Sequence, residues 1–262
     1  MAKIIAIANQ KGGVGKTTTA FNLGAALVQE YEKRVLLVDI DPQANLSEYL
    51  GYDDEQHNVT MTQLIGIVAR QSSIEAKTVK SAIRRNGSNS LDYLPADINL
   101  ANAETIMATA LARETIVKRI LSENVTAEYD YVIIDCLPSL GILLINALTA
   151  ADHMIIPVQT QKFSMDGLAA LIELHKQIRA TINPRLDILG ILPTMTDNTN
   201  VSRNALDRLS DMYGDMMLDI CIHKSVSAAM SSETGKALCK TKNKLGEEYK
   251  ALAQITNKKL MG

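Results

Sequence analysis

Tryptophan is absent from this chain and phenylalanine occurs twice, which argues against a binding surface built on aromatic rings that stack against bases. Cysteine is also scarce. Cys136, Cys221 and Cys239 are an odd number with no C-x-x-C pair, so they fit free thiols in a reducing compartment better than a disulfide frame or a zinc site. An uninterrupted apolar run of membrane-spanning length is missing too. The longest tract, Leu140 to Val158, is broken by Asn146, Asp152 and His153 and has no basic flank, so it reads as a buried helix running into a buried strand. At the N-terminus only Ile4 to Ala8 are apolar before glycines begin, too little for a signal peptide, and the expected location is the cytoplasm. Finally there is no excess of either charge. A net charge of −2 and a pI near 6.1 leave any attraction to nucleic acid to a local patch.

What is present is ordinary globular material: 262 residues, 47% apolar and 21% charged, with no linker, repeat or low-complexity segment, expected to form a single domain over 1–262. Apolar runs suited to buried strands (Lys3 to Asn9, Arg34 to Ile40, Leu91 to Pro95, Tyr131 to Cys136, His153 to Val158, Leu186 to Leu192, Met217 to Ile222) alternate with helical periodicity. The helices are expected at Thr17 to Glu30, Asn45 to Leu50, Met61 to Val68, Val79 to Arg85, Ala101 to Leu121, Ile142 to Ala150, Met165 to Ile182, Val201 to Tyr213 and Lys244 to Lys259, with Arg84 to Asn89 an exposed loop. That alternation predicts an α/β fold: a doubly wound, mostly parallel sheet with helices on both faces.

The most informative stretch is Asn9-Gln10-Lys11-Gly12-Gly13-Val14-Gly15-Lys16-Thr17-Thr18, which joins the first strand to the first helix. Glycines there let successive backbone N–H groups turn toward phosphate oxygens, and the helix N-terminus adds partial positive charge. Lys16 is placed to reach the β- and γ-phosphates, and the Thr17 hydroxyl to ligate a bridging Mg²⁺. The usual G-x-x-x-x-G-K-[ST] pattern is only partly met, because Gln10 stands at its first glycine and Lys11 is an additional lysine. Two more candidates close apolar strands. Asp39 and Asp41 precede and follow Ile40 just before Pro42, and Asp135 ends Tyr131 to Cys136. A strand-end carboxylate can hold a Mg²⁺-bound water. Equally, Asp135 could cap a helix and Asp41 a turn.

Three segments, N-Q-K-G-G-V-G-K-T-T-T-A from Asn9, V-L-L-V-D-I-D-P-Q from Val35 and Y-V-I-I-D-C-L-P-S-L-G from Tyr131, together resemble the ParA family of deviant Walker ATPases, in particular the short ParA/Soj partition proteins without an N-terminal helix-turn-helix domain. A further stretch, L-G-I-L-P-T-M-T-D from Leu189, is similar as well. The resemblance implies ATP and Mg²⁺ as cofactors, with binding by Lys11, Gly12, Gly13, Val14, Gly15, Lys16, Thr17 and Thr18. It implies a nucleotide-sandwich homodimer into which Lys11 reaches toward the partner's phosphates, Asp41 positioning the attacking water, and Thr17 and Asp135 at the metal. It also implies non-specific DNA binding on the nucleoid, and release when a ParB-like partner stimulates hydrolysis.

The chain departs from the family where DNA is concerned. Family arginines after the T-M-x-D stretch and in an I-P-R-N-V-R stretch correspond here to Thr199 and Ser227. Basic residues that remain are Arg203, Arg208 and Lys224, and from Lys224 to Gly262 eight lysines face three glutamates. Arg203, Lys224, Lys236, Lys240, Lys242 and Lys244 are therefore a candidate phosphate-contacting patch, or a solvated helix face. A MinD-like, membrane-positioned ATPase shares the same motifs, but needs a detachable amphipathic C-terminal helix. Leu245, Tyr249, Leu252, Ile255 and Leu260 are better suited to packing onto the sheet, so no stable membrane insertion is expected. An iron-protein-like reductase would need two cluster cysteines per subunit, and no cysteine precedes Cys136.

Overall fold

The computed structural model describes residues 1–53, 59–162 and 165–261. Strands β1 (Lys3–Ile7), β2 (Val35–Asp39), β3 (Arg84–Asn86), β4 (Leu91–Leu94), β5 (Tyr131–Asp135), β6 (His153–Gln159), β7 (Asp187–Thr196) and β8 (Ile222–His223) form one sheet in the order β3-β4-β2-β5-β1-β6-β7-β8. Every pairing is parallel except β3 with β4. The helices are α1 (Lys16–Tyr31), α2 (Asn45–Tyr49), α3 (Met61–Gln71), α4 (Ala76–Ala82), α5 (Ala103–Met107), α6 (Ile116–Ile120), α7 (Glu123–Thr126), α8 (Ile142–Ala150), α9 (Met165–Thr181), α10 (Asn200–Tyr213), α11 (Val226–Thr234) and α12 (Lys244–Met261).

Strand alternation divides the core in two. Ala6, Leu36, Val38, Val132 and Ile134 point to one face, covered by α3, α6 and α8, while Ile5, Ile7, Leu37, Tyr131 and Ile133 point to the other, covered by α1 and α12. Both faces of the central strands are buried, which is why they read as continuous apolar runs. Gly24 of α1 lets that helix lie close on β2, since a methyl there would stand 2.9 Å from a Leu37 methyl. The parallel register sets Asp39 opposite Asp135, and Asp135 opposite Ile7, so the three chain reversals after β2, β5 and β1 begin at one level of the sheet.

Four expectations need correction. The long helix at Ala101 to Leu121 is instead a 3₁₀ turn (Ile98–Asn102), α5, a second 3₁₀ turn (Arg113–Thr115) and α6. Ala112 adopts a left-handed φ of 50°, and the interruption is stabilised by the buried Asn146, which accepts from the Val117 N–H and donates to the Arg113 carbonyl. Arg84 to Asn86 is a strand and not loop, because Arg85 pairs across to Asp92 at 2.8 Å and the Asn86 side chain closes the turn on the Asn89 N–H. Its helix ends earlier, at Ala82. The Met217 to Ile222 strand shrinks to Ile222–His223, with Met217 making one bridge to Ile191. Helix α11 was not expected, and starts from a Ser225 side chain that accepts the Ser227 N–H.

Candidate active site

The loop between β1 and α1 is held from both ends by side chains. Asn9, buried at the end of β1, donates to the Pro157 carbonyl at 2.7 Å and accepts from the Lys11 N–H at 3.0 Å. At the tip, the Thr194 hydroxyl of β7 donates to the Val14 carbonyl at 2.8 Å, and the Val14 side chain is buried. Between these fixed points, Gly13 (φ 70°) and Gly15 (φ 87°) take left-handed conformations that a side chain would strain. No atom stands within 4 Å of where a Cβ would be on Gly12, Gly13 or Gly15, so the loop encloses open space at the start of a sixteen-residue helix. Thr17 and Thr18 lie half-buried in its first turn.

Lys16 is almost wholly buried, and its ammonium donates to the Lys11 carbonyl at 3.2 Å, within its own loop. Burial lowers its pKa, against the opposing pull of Asp135, Cys136 and Asp41. Asp135 is its acidic counterpart: 1% exposed, with neither carboxylate oxygen making a hydrogen bond of full geometry. Burial pushes its pKa well above the usual range and the charge of Asp39 adds to this, while the nearby Thr17 hydroxyl and Lys16 ammonium act in the opposite direction. A buried carboxylate without partners is costly. It is not a helix cap, since α8 begins only at Ile142. Phosphate oxygens in the glycine cradle and a hard, hydrated cation beside Thr17 and Asp135 would satisfy Lys16 and Asp135 together, so these residues fit a magnesium-bound polyphosphate.

Asp39 and Asp41 divide their tasks. Asp39 accepts from the Asp41 N–H, the Ser47 N–H and the Ser47 hydroxyl at 2.7–3.0 Å, and Ser47 in turn takes the Ala96 N–H. Its role is to shape the loop, and burial raises its pKa to about 6. Asp41 accepts the Gln43 N–H through Oδ1 at 2.9 Å, which is the turn across Pro42. Its Oδ2 has no such bond among those of the described residues. The turn-capping and catalytic readings of Asp41 are therefore compatible.

On the other flank of the loop, past β6, a cavity of about 310 Å³ opens beyond the ends of β7 and β8, lined by Thr196, Asn198, His223, Lys224, Leu245 and Glu248 among others. The family-like stretch from Leu189 ends on two of its lining residues, Thr196 and Asp197. Beside the cavity, Met195 is held at φ 51° where the β7–β8 register slips, and residues at the start of α12 complete the lining.

The AAA domain family model matches residues 2–188 of this chain. The sporulation initiation inhibitor protein Soj of Bacillus subtilis is 40% identical over 239 residues, covering 91% of this chain and 90% of Soj. The chromosome partitioning protein ParA of Caulobacter vibrioides is 38% identical, covering 89% and 85%. The chain belongs to the ParA/Soj family of deviant Walker ATPases. Among solved structures, the cobyrinic acid a,c-diamide synthase of Mycobacterium smegmatis with bound ATP analogue and magnesium has a TM-score of 0.83 and 33% identity, covering 100% of this chain and 98% of that one.

The basic residues of this chain are dispersed over several elements. Thr199, at the first missing arginine, is the N-cap of α10, accepting the Ser202 N–H. Ser227, at the second, lies in the first turn of α11. Arg203 is tied to the Asn198 carbonyl, Lys244 lies 3.8 Å from Glu248, and Lys240 reaches across to the Ser88 carbonyl by the β3–β4 turn. Lys224, Lys236 and Lys242 are exposed. The C-terminal helix is not a loose tail. Leu245, Tyr249 and Leu252 of α12 are buried against α1, and Tyr131 of β5 bonds to Asn257. Each such apolar burial is worth about 1.5–3 kcal/mol, so lifting α12 onto a lipid surface would forfeit several kcal/mol. Among the described residues no helix is long and apolar enough to cross a membrane. Cys136 is fully buried, with its thiol pKa raised by that burial.

Proposed function

We propose that this chain is an ATP-driven partition switch. ATP with Mg²⁺ supplies a phosphoanhydride bond whose hydrolysis removes the γ-phosphate. Lys16 would meet the β- and γ-phosphates from the loop, while the Thr17 hydroxyl and Asp135 would hold the cation. Asp41 orients the attacking water with its Oδ2. Lys11 reaches the phosphates of a second copy, so that two nucleotide-bearing faces are joined by cations from both sides. The dimer holds DNA without sequence preference, on the nucleoid within the cytoplasm. A ParB-like partner stimulates hydrolysis and releases it, a change of the order-and-release kind. The whole chain, 1–262, acts as one ATPase domain.

One observation carries this reading: the buried Asp135, whose oxygens make no hydrogen bond of full geometry, beside an open glycine cradle and a lysine turned onto its own loop. Polarity also follows from it. Asp39, Asp41 and Asp135 all lie on the β2/β5 flank, so the metal-bearing end of the triphosphate belongs there and the base belongs to the opposite flank, in the cavity beyond β7 and β8.

Light scattering with ATP and Mg²⁺ tests the switch. Wild type dimerises and Lys11→Ala stays monomeric while still binding nucleotide. A Lys11→Ala protein that dimerises like wild type removes the cross-subunit role. Retention of non-specific duplex that requires ATP supports the partition reading; its absence at low salt turns the reading toward a positioning ATPase, against which the buried face of α12 already argues.

A further inference from the structure

The cavity beyond β7 and β8 contains an arrangement that the phosphate chemistry does not use. Glu248, 7% exposed, takes two hydrogen bonds from a single residue: the His223 backbone N–H donates to Oε2 at 2.8 Å, and Nδ1 of the His223 ring lies 2.7 Å from Oε1. Lys244 stands 3.8 Å from the same oxygen. A carboxylate with an ammonium beside it, already accepting a backbone N–H, is an acceptor and not a donor, so the imidazole must carry its proton on Nδ1. With its proton on Nδ1, a neutral ring has a lone pair on Nε2, and the structure gives that atom no partner among the described residues.

The other polar side chains of the cavity are largely committed. Asp197 accepts from the Thr199 N–H and hydroxyl and from Gln161. Asn243 uses its amide on Thr241 and its oxygen on the Gly246 N–H. Lys224 and Lys244 offer only donors. Asn198, Thr196 and Ser225 line the recess as well, but His223 is the acceptor whose orientation is fixed by a buried carboxylate.

We propose that His223, oriented by Glu248, is the residue that distinguishes a 6-amino purine from a 6-oxo purine. Nε2 accepts a hydrogen bond from an exocyclic amino group and faces an exocyclic oxygen with its own lone pair. Glu248 is the positioning residue, because it sets the tautomer without touching the base. The inference rests on placing the base in this cavity, as proposed above.

The test uses the full chain, with ADP and IDP as probes that differ in the 6-substituent and in the proton that N1 carries in IDP, each displacing a ribose-labelled methylanthraniloyl-ADP. Wild type at pH 8 binds ADP about tenfold or more tighter than IDP. His223→Ala weakens ADP and leaves IDP unchanged, bringing the ratio within about threefold. Glu248→Gln, which can donate to Nδ1 and shift the ring proton to Nε2, moves the ratio in the same direction. His223 is partly exposed, so its alanine variant keeps the test open if Glu248→Gln does not fold.

A second measurement separates this inference from the one it rests on. The chain has no tryptophan, so Asn198→Trp places a single fluorophore at the rim of the cavity. If its emission responds to ADP while His223→Ala keeps the wild-type ratio, or loses both nucleotides equally, the base occupies the cavity and His223 does not read it. If the emission ignores ADP that still displaces the label, the base lies elsewhere and both readings fall.

Discussion

The two flanks of the glycine loop are built on opposite plans. On the β2/β5 flank, the functional groups are carboxylates at strand ends, fixed by register and buried almost completely: Asp39 and Asp135 are neighbours in the sheet and each is 1% exposed. On the β7/β8 flank they are side chains of loops and helix starts, brought together by a bulge at Met195, the cap at Thr199 and the first turn of α12. The first flank has a charge problem that a cation and phosphates solve. The second has a shape, and a single orientated imidazole. Chemistry is therefore expected to fail abruptly when the first flank is altered, and recognition to change gradually when the second is.

The sharpest break is Asp41→Ala. Phosphates would still be met by Lys16 and the loop, so nucleotide binding and dimerisation persist while hydrolysis falls by about 10²–10⁴-fold. Phosphate release at the wild-type rate would remove Asp41 from the reaction. Gly246→Ala sharpens the other side. Alanine is the better helix former, yet its Cβ would stand 2.4 Å from the Leu238 carbonyl and 3.1 Å from that of Thr241. The expected loss is about 1–3 kcal/mol in urea unfolding, with the cavity affected before the carboxylates. A neutral result would mean that the start of α12 yields freely.

All four lysines, Lys236, Lys240, Lys242 and Lys244, are exposed, but Lys240 and Lys244 have protein partners, so Lys236 and Lys242 are the cleaner probes of a DNA surface. Replacing both by alanine should lower the salt slope of ATP-dependent duplex binding by about one unit per lost contact, without altering sequence preference. Equal slopes would exclude them. The smallest effect concerns Asp39. Its folded pKa of about 6 lies above the unfolded value near 4, so the folded state holds the proton more tightly and stability from this group falls as pH rises through that window. Asparagine does not titrate. The stability difference between wild type and Asp39→Asn should therefore shrink by about 1 kcal/mol between pH 5 and 7.5. A constant difference would mean that Asp39 is ionised throughout.

The carboxylate flank was legible in the sequence because its information is local. Gly13, Gly15, Lys16 and Thr17 are contiguous, and an apolar run ending in Asp135 states both the strand and its acid. On the β7/β8 flank the stretch from Leu189 was legible but its joining to α12 was not, because the determinants are remote from one another: Glu248 acts on His223 across 25 residues, and Thr196 lines the cavity with both. The same reason explains the misread helix between Ala101 and Leu121. Its residues have helical periodicity, but Asn146, from α8, offers hydrogen bonds that reward an interruption at Ala112. Arg84 to Asn86 looked like loop because its apolar content is nil; pairing with Asp92 makes it a strand.

The staples on the glycine loop have a consequence for how the protein is made. β1 lies at the centre of the sheet, and both of its neighbours, β5 and β6, come from much later in the chain. Asn9 waits for Pro157, 148 residues on, and Val14 for Thr194, 180 residues on. A ribosome delivers the N-terminus first. The segment with the plainest signature in the sequence is thus synthesised well before the residues that fix it, so a nascent chain stalled before residue 194 would carry the full motif without its finished geometry.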